Sequence, residues 1–448
     1  MKKSEEVKSY IMDLINTGKL SNGERLPSCR ILSNKLGVNK ITVNRAYREL
    51  EDDHKVYAIN RGGYYLSDLD IAMKKNTEIT DFSMLKTEQK LLPYREFTHV
   101  VNKAVDIYKS DAYGYEAPEG LYSLRKLLSE RFMNDGVYTT YANVMITNGA
   151  QQAITIALQV IFKDRQGKLL VESPSYYLAL KQAKLMGLEM LEIERTCDGY
   201  DFHKIEELFR NGDIRAFYII PRHHNPTGFN LSENDKKHLA RLISEYNIIL
   251  VEDDYLLDLG SRKGSMPVHY YANKEQVIYI RSFSKTFMPG LRLGAGIFPK
   301  SMIISAIEIK RMGDLNTTKL TQAALELFIK SGMYDKHIHK VRKIYSDRMK
   351  KADAIYQSLK YDDMEWYIPQ NGIFIWAVHR NVIDLNRAQE HLLARGIKIK
   401  SAEEFFLNYR SVDFQNTVYF RLCLSGISDK ETGKLSEIIS VLRTVSLK

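Results

Sequence analysis

From Ile79 onward, five short apolar runs alternate with stretches of helical periodicity: Asn143–Asn148, Leu169–Glu172, Ala216–Ile220, Ile248–Glu252 and Val277–Ile280. Short runs bounded by turn residues and separated by helix-length segments predict a mostly parallel sheet with crossover helices. Ligands of such sheets bind at the carboxyl ends of the strands, and the informative motifs of this chain fall there. The chain has 448 residues, more than one domain's worth. No apolar run reaches the ~18 residues needed to span a bilayer. The start, MKKSEEVKSYIMDL, lacks the continuous apolar core of a signal peptide. Cys29, Cys197 and Cys423 are far apart and show no metal or redox spacing. The expectation is a cytoplasmic protein with reduced thiols, no metal site and no membrane partner.

The strand Val277–Ile280 runs into Ser282-Phe-Ser-Lys-Thr-Phe-Met-Pro-Gly-Leu-Arg-Leu-Gly294. Lys285 there has two readings. One is a solvated loop charge, the usual state of a lysine. The other is a partly desolvated amine whose lowered pKa lets it attack a carbonyl and form a Schiff base. Ser282 and Ser284 supply hydroxyl donors beside it, and Arg292 supplies a fork suited to phosphate. Pyridoxal 5'-phosphate (PLP) needs this combination, a lysine for its aldehyde and an anchor for its phosphate ester.

Four further strand ends carry polar groups. Asn148-Gly-Ala-Gln-Gln152 opens a helix, so Gly149, Ala150 and Gln151 form either an ordinary turn or a phosphate cradle at a helix N-terminus. Tyr176, in Glu172-Ser-Pro-Ser-Tyr176, either stacks on a pyridine ring or packs in the core. His224-Asn-Pro-Thr-Gly228 presents Asn225 as a donor to a ring oxygen, with His223 and His224 read as structural. Ile248–Tyr255 ends in Glu252, Asp253 and Asp254, a costly set to bury without partners. Asp253 suits a protonated ring nitrogen, and Tyr255 lies on the same strand face; a metal cluster or a solvated loop is the alternative.

The order NGAQQ, aromatic, HNPTG, EDDY, SFSKTFMPGLRLG resembles that of fold-type I aminotransferases, from about Ile79 to the end. The resemblance implies Lys285 as the lysine joined to the cofactor and Asp253 at its ring nitrogen. It sets Tyr255 with Asn225 at the ring oxygen, and Ser282, Ser284 and Arg292 on the phosphate. It also implies Arg421, in TVYFRLCLS, for a substrate or effector carboxylate, and Tyr115 reaching the phosphate of a partner subunit. The expected fold is a large domain with a mostly parallel sheet and a small α+β subdomain. Where aminotransferases commonly carry two glycines this chain has Asn371-Gly372, a side chain expected to narrow the pocket.

The first 68 residues read differently. Val7, Tyr10, Ile11, Leu14 and Ile15 share one helical face. Ser28 is a candidate N-cap for a second helix that Gly37 ends, and Asn39 for a third through Leu50. Two helices around a glycine turn make a helix-turn-helix, and Lys55–Ile59 with Tyr64–Leu66 makes a hairpin wing. A small helical cap on an enzyme is the alternative. Against it, Asn39, Lys40, Thr42, Asn44 and Arg45 are groups that bond phosphates and base edges in a major groove. Arg30 and Arg61, at the wing tip, complete the candidate DNA-binding set. The segment GERLPSCRILSNKLGVNKITVNRAYRELEDD with RGGYYL resembles the winged helix-turn-helix of GntR-type bacterial regulators.

The expected domains are therefore 1–68 for DNA binding, 69–78 as a short linker, and 79–448 as the PLP-binding part. This arrangement resembles MocR/GabR-type transcription regulators. The resemblance implies a head-to-tail homodimer whose binding to operator DNA is controlled by PLP or by PLP joined to an amino compound. Some such regulators carry an arginine two residues after the stacking aromatic, where this chain has Leu178. The alternative is an active PLP-dependent aminotransferase with an accessory DNA-binding domain, since every residue needed for amine chemistry is present. The regulator reading is preferred over the enzyme.

Overall fold

The computed structural model describes residues 3–17, 19–20, 23–52, 55–59, 62–66, 79–260, 265–380, 383–408 and 417–445. The expected linker, residues 69–78, and Arg61 lie outside them. The chain divides into two compact units, Met1–Glu78 and Ile79–Lys448.

The first unit holds helices α1 (Lys3–Asn16), α2 (Cys29–Leu36) and α3 (Lys40–Asp52), then strands β1 (Val56–Ile59) and β2 (Gly63–Leu66) paired antiparallel. Ser28 caps α2 by accepting from the Ile31 amide, and Gly37 ends it in the left-handed region at φ 62°, where a glycine carries no side-chain clash. Val7, Ile11, Leu32, Val43, Ala46, Tyr47 and Leu50 close a core of their own. The wing has a third contributor: Arg25 bridges Tyr65, and the Leu26 amide donates to the Tyr64 carbonyl.

The second unit runs β3 (Thr80–Asp81), α4 (Tyr94–Tyr108), α5 (Tyr122–Asn134), β4 (Val144–Thr147), α6 (Ala150–Ile161), β5 (Lys168–Ser173) and α7 (Tyr177–Leu185). It continues through β6 (Met190–Glu194), α8 (Phe202–Asn211), β7 (Ile214–Ile219), α9 (Glu233–Glu245), β8 (Ile249–Asp253), α10 (Val268–Tyr271), β9 (Val277–Ser282) and β10 (Gly294–Ile297). Then come α11 (Ile303–Asp314), α12 (Lys319–Lys330), α13 (Met333–Leu359), β11 (Met364–Tyr367), β12 (Phe374–His379), α14 (Leu385–Leu393), β13 (Ile397–Lys398), β14 (Val418–Cys423) and α15 (Leu435–Thr444).

The large sheet has seven strands in the order β4-β10-β9-β8-β7-β5-β6. β10 pairs antiparallel with β4 and β9, while the pairs of β5 with β6 and β7, of β7 with β8 and of β8 with β9 are parallel. The inner parallel strands β5, β7, β8 and β9 are buried nearly throughout, as a sheet covered on both faces requires. A small antiparallel sheet, β11-β12-β14, packs with α13, α14 and α15 around Phe82, Trp366, Ile375 and Leu422. The fold is thus a winged helix-turn-helix unit and a fold-type I unit with a small α+β subdomain, as expected. Among the described residues no helix is long and apolar enough to cross a membrane.

Candidate cofactor cavity and DNA-reading helix

Five strand ends of the large sheet converge on one cavity. Its wall includes Ala150 and Gln151 after β4, Tyr176 after β5, Asn225 after β7, Asp253 and Tyr255 at and after β8, and Ser282, Ser284 and Lys285 at and after β9. Arg292, Leu85 and Ile220 complete it.

Lys285 stands just past a buried strand, and the loop behind it is tied down. Thr286 donates its hydroxyl to Asp258 Oδ2 at 2.8 Å, and its carbonyl meets His337 Nε2 at 2.9 Å. Burial pushes the Lys285 amine below the ordinary lysine range, and Arg292 and Arg421 act in the same direction. A neutral amine is thereby made accessible nearer neutral pH, which a solvated loop lysine does not offer.

The three carboxylates ending β8 divide their work. Glu252 accepts the amides of Val268 and His269, each at 2.8 Å. Asp254 pairs with Arg222 and accepts the Tyr279 hydroxyl at 2.5 Å. Asp253 alone of the three lines the cavity. Burial pushes its carboxyl up to about 7, although a hydrogen bond from Tyr218 opposes the shift.

The cradle rests on close backbone approach. Gly149 caps α6 at φ 81°, and a Cβ there would sit 2.9 Å from Arg292 Nη2. Gly294, on β10, packs its Cα against the Gly149–Ala150 backbone, where a Cβ would stand 2.7 Å from the Gly149 carbonyl carbon. Asp314 then gathers Asn148 Nδ2 at 2.5 Å and Gln152 Nε2 at 2.8 Å, and pairs with Lys310. The loop is held from behind, with the Asn148 amide on Gln152 Oε1 and the Gly149 amide on the Thr147 carbonyl, and Arg292 beside it is exposed.

The remaining candidates have protein partners. Tyr255 donates its hydroxyl to the His223 carbonyl at 3.0 Å, and Asn225 Oδ1 accepts from Arg421 Nη1 at 3.1 Å. Arg421, outside the lining of this cavity, lies between the rings of Phe374 and Phe405, gives Nη2 to the Ser83 carbonyl at 2.7 Å, and leaves Nε buried without a partner among the described residues. Tyr115 is 84% exposed and outside this cavity. His224 pairs with Glu172 and His223 is buried, so both are built into the scaffold. Asn371 lines a different groove, beside Ser346 and Pro369, and does not border the cavity. The expected narrowing does not occur there, since Asn371 borders that other groove.

Sequence reasoning missed one wall. Ser83 reaches Arg421, Leu85 lines the cavity, and Thr87 donates to the Lys285 carbonyl at 3.4 Å. Nothing in the pattern of residues 83–87 announces this, since Thr87 lies 198 residues from the lysine. Cys423, two residues past Arg421, carries no sequence signal either; burial pushes its thiol up, and the nearby Lys285 opposes that shift.

In the first unit, α3 buries Val43, Ala46, Tyr47 and Leu50 and turns Asn39, Lys40 and Arg45 to solvent, with Arg30 also exposed. Asn39 Oδ1 accepts the Ile41 amide at 2.9 Å, so its carboxamide caps the helix. Thr42 is half-buried, Asn44 accepts from Cys29 Sγ, and Arg45 pairs with Glu49 at 3.0 Å.

These two units define a class: a DNA-binding-type winged helix joined to an aminotransferase-type fold. The model of the bacterial regulatory proteins of the gntR family matches residues 3–66, and that of aminotransferase class I and II matches residues 87–439. The chain belongs to the aminotransferase class I and II family and carries a GntR-family domain ahead of it. It is 37% identical over 349 residues to the uncharacterized HTH-type transcriptional regulator YcxD of Bacillus subtilis (strain 168), covering 78% of this chain and 79% of that one. It is 25% identical to the HTH-type transcriptional regulator NorG of Staphylococcus aureus (strain USA300), covering 83% and 90%. Among solved structures, LysN, an alpha-aminoadipate aminotransferase from Thermus thermophilus, superposes with a TM-score of 0.74 at 22% identity, covering 88% and 97%. Pyrococcus horikoshii kynurenine aminotransferase gives 0.74 at 24%, covering 89% and 98%.

Proposed function

We propose that the protein is a bacterial transcription regulator of the MocR/GabR type, whose operator binding is controlled by PLP or by an amino compound acting at the PLP site. One observation carries the reading: a single chain joins a helix-turn-helix with basic residues on its exposed face to a cavity equipped for the cofactor. A helix-turn-helix has no use in amino-group transfer. A ligand, in contrast, shifts DNA affinity whenever it binds two states of the protein unequally.

The residues present fit the cofactor. Asp253 Oδ1 and Ser284 Oγ are buried at the cavity wall without partners among the described residues, an acceptor for a ring N–H and a donor for a phosphate. Ala150 and Gln151 give amides at a helix N-terminus, where a phosphate is favoured, and Gly149, whose own amide donates to the Thr147 carbonyl, lets the backbone approach. PLP, when bound, supplies an aldehyde for amines and an electron-withdrawing ring. The chain's own groups then have distinct tasks. With PLP bound, Lys285 would offer the amine, Asp253 would hold the proton at the ring nitrogen, and Asn225 and Tyr255 would serve the ring oxygen, Tyr255 on giving up the His223 carbonyl. Ser282, Ser284 and Arg292 would bind the phosphate, Tyr176 would pack on the ring, and Arg421 would receive a carboxylate. Domain boundaries of 1–68 and 79–448, a homodimer with Tyr115 reaching the partner's phosphate, and a cytoplasmic location belong to the same reading.

The test is operator binding by apo protein, PLP-loaded protein and PLP-loaded protein with candidate amino acids and amines, at one fixed salt concentration. A coupling of ~1–3 kcal/mol changes affinity about 5- to 150-fold. Equal affinity in all three states would overturn regulation by the ligand. The second reading, an aminotransferase with an accessory DNA-binding domain, is favoured by the lowered Lys285 pKa; steady multiple-turnover formation of a keto acid would establish it.

A further inference from the structure

Ile41 is 75% exposed, more than any other large apolar side chain described in the first unit. It is the second residue of α3, between Lys40 and Thr42, in a helix with no acidic residue in its first turn. The buried side of the helix is already complete without it, since Val43, Ala46, Tyr47 and Leu50 fill the core. Ile31, on α2, is 61% exposed as well. A single exposed isoleucine is ordinary by itself, but Ile41 stands at the start of the helix that carries the exposed basic set, so it is placed to make an apolar contact with whatever that face binds.

The surroundings select its kind. The exposed neighbours of Ile41 are Asn39, Lys40 and Arg45, with Arg30 on the preceding helix. Cations beside a helix N-terminus suit a polyanion, which a hydrophobic protein partner is not. The major groove offers one apolar feature on its base edges, the 5-methyl group of thymine. Asn39 has its carboxamide oxygen on the Ile41 amide, which pins the start of the helix and fixes where Ile41 projects.

We propose that Ile41 reads a thymine methyl group in the operator, so that each half-site contains a thymine selected by apolar contact and not by a hydrogen bond. The inference rests on the DNA-binding reading of this unit.

The experiment uses full-length protein and a duplex recovered by selection from random-sequence DNA. Each thymine is replaced singly by uracil, which removes the methyl group and leaves base pairing intact. One position per half-site is expected to weaken wild-type binding roughly 3- to 5-fold, the effect of one buried methyl. Ile41→Ala should bind the thymine and uracil duplexes equally, and Ile41→Val should keep part of the difference. Because Ile41 is exposed, its variants should melt with the wild type, and circular dichroism checks this. A uracil penalty undiminished in Ile41→Ala, or no sensitive thymine in the wild type, overturns the inference while DNA binding stands. Failure to recover any bound sequence overturns the DNA-binding reading and the inference with it.

Discussion

Tyr218 donates its hydroxyl proton to Asp253 Oδ2 at 2.9 Å, and the other carboxylate oxygen, Oδ1, has no partner among the described residues. One oxygen is therefore fixed by the sheet and the other is free for a ligand. Asp253→Ala should weaken PLP retention roughly 10- to 100-fold, the range for a hydrogen bond to a charged group. Equilibrium dialysis against PLP measures this, and unchanged retention would remove Asp253 from the site.

The same carboxyl gives the apo protein a pH dependence. Burial pushes both Asp253 and Glu252 up to about 7 in the fold. A raised pKa favours the protonated group in the folded state, so its stabilisation is present below about pH 4 and is lost as pH rises through about 7. The melting temperature of apo protein should fall between pH 6 and pH 8. Asp253→Asn should shrink that fall and leave the part due to Glu252. Identical curves for the two proteins would show that Asp253 does not titrate there.

Lys285→Ala should abolish borohydride-stable attachment of PLP and the visible absorption that accompanies it. A stable adduct in the variant would mean that another lysine carries the cofactor.

Gly149→Ala tests the cradle. The new Cβ meets Arg292 Nη2 at 2.9 Å and forces a side chain into φ 81°. Strain of ~1–3 kcal/mol should lower PLP affinity about 5- to 150-fold. The arginine end is flexible and gives way in part, which favours the lower figure. Wild-type affinity would place the phosphate elsewhere.

On DNA, Lys40→Ala should reduce the slope of log K against log salt by about one unit, as loss of one phosphate contact does. An unchanged slope together with unchanged affinity would show that this helix start does not face the duplex.

Much of this was legible because burial imposes strong patterns. All five strands expected from apolar runs are present, and Ser28 and Gly37 bound α2 as their chemistry requires. β10 escaped notice because Gly294-Ala-Gly-Ile297 has two glycines and no strand-like alternation; packing against the cradle, not propensity, makes it a strand. β6 is only partly buried over Met190–Glu192 and begins in a weak pattern. The partners of Tyr255 and Asn225, and the part played by Ser83, depend on contacts between residues distant in sequence, which periodicity does not encode.

Arg421 holds the Ser83 carbonyl, and Ser83 stands just inside the boundary at Ile79, next to strand β3. On the proposed reading, a carboxylate that takes Nη2 displaces a main-chain oxygen. The guanidinium works as a latch on the stretch that opens the second unit.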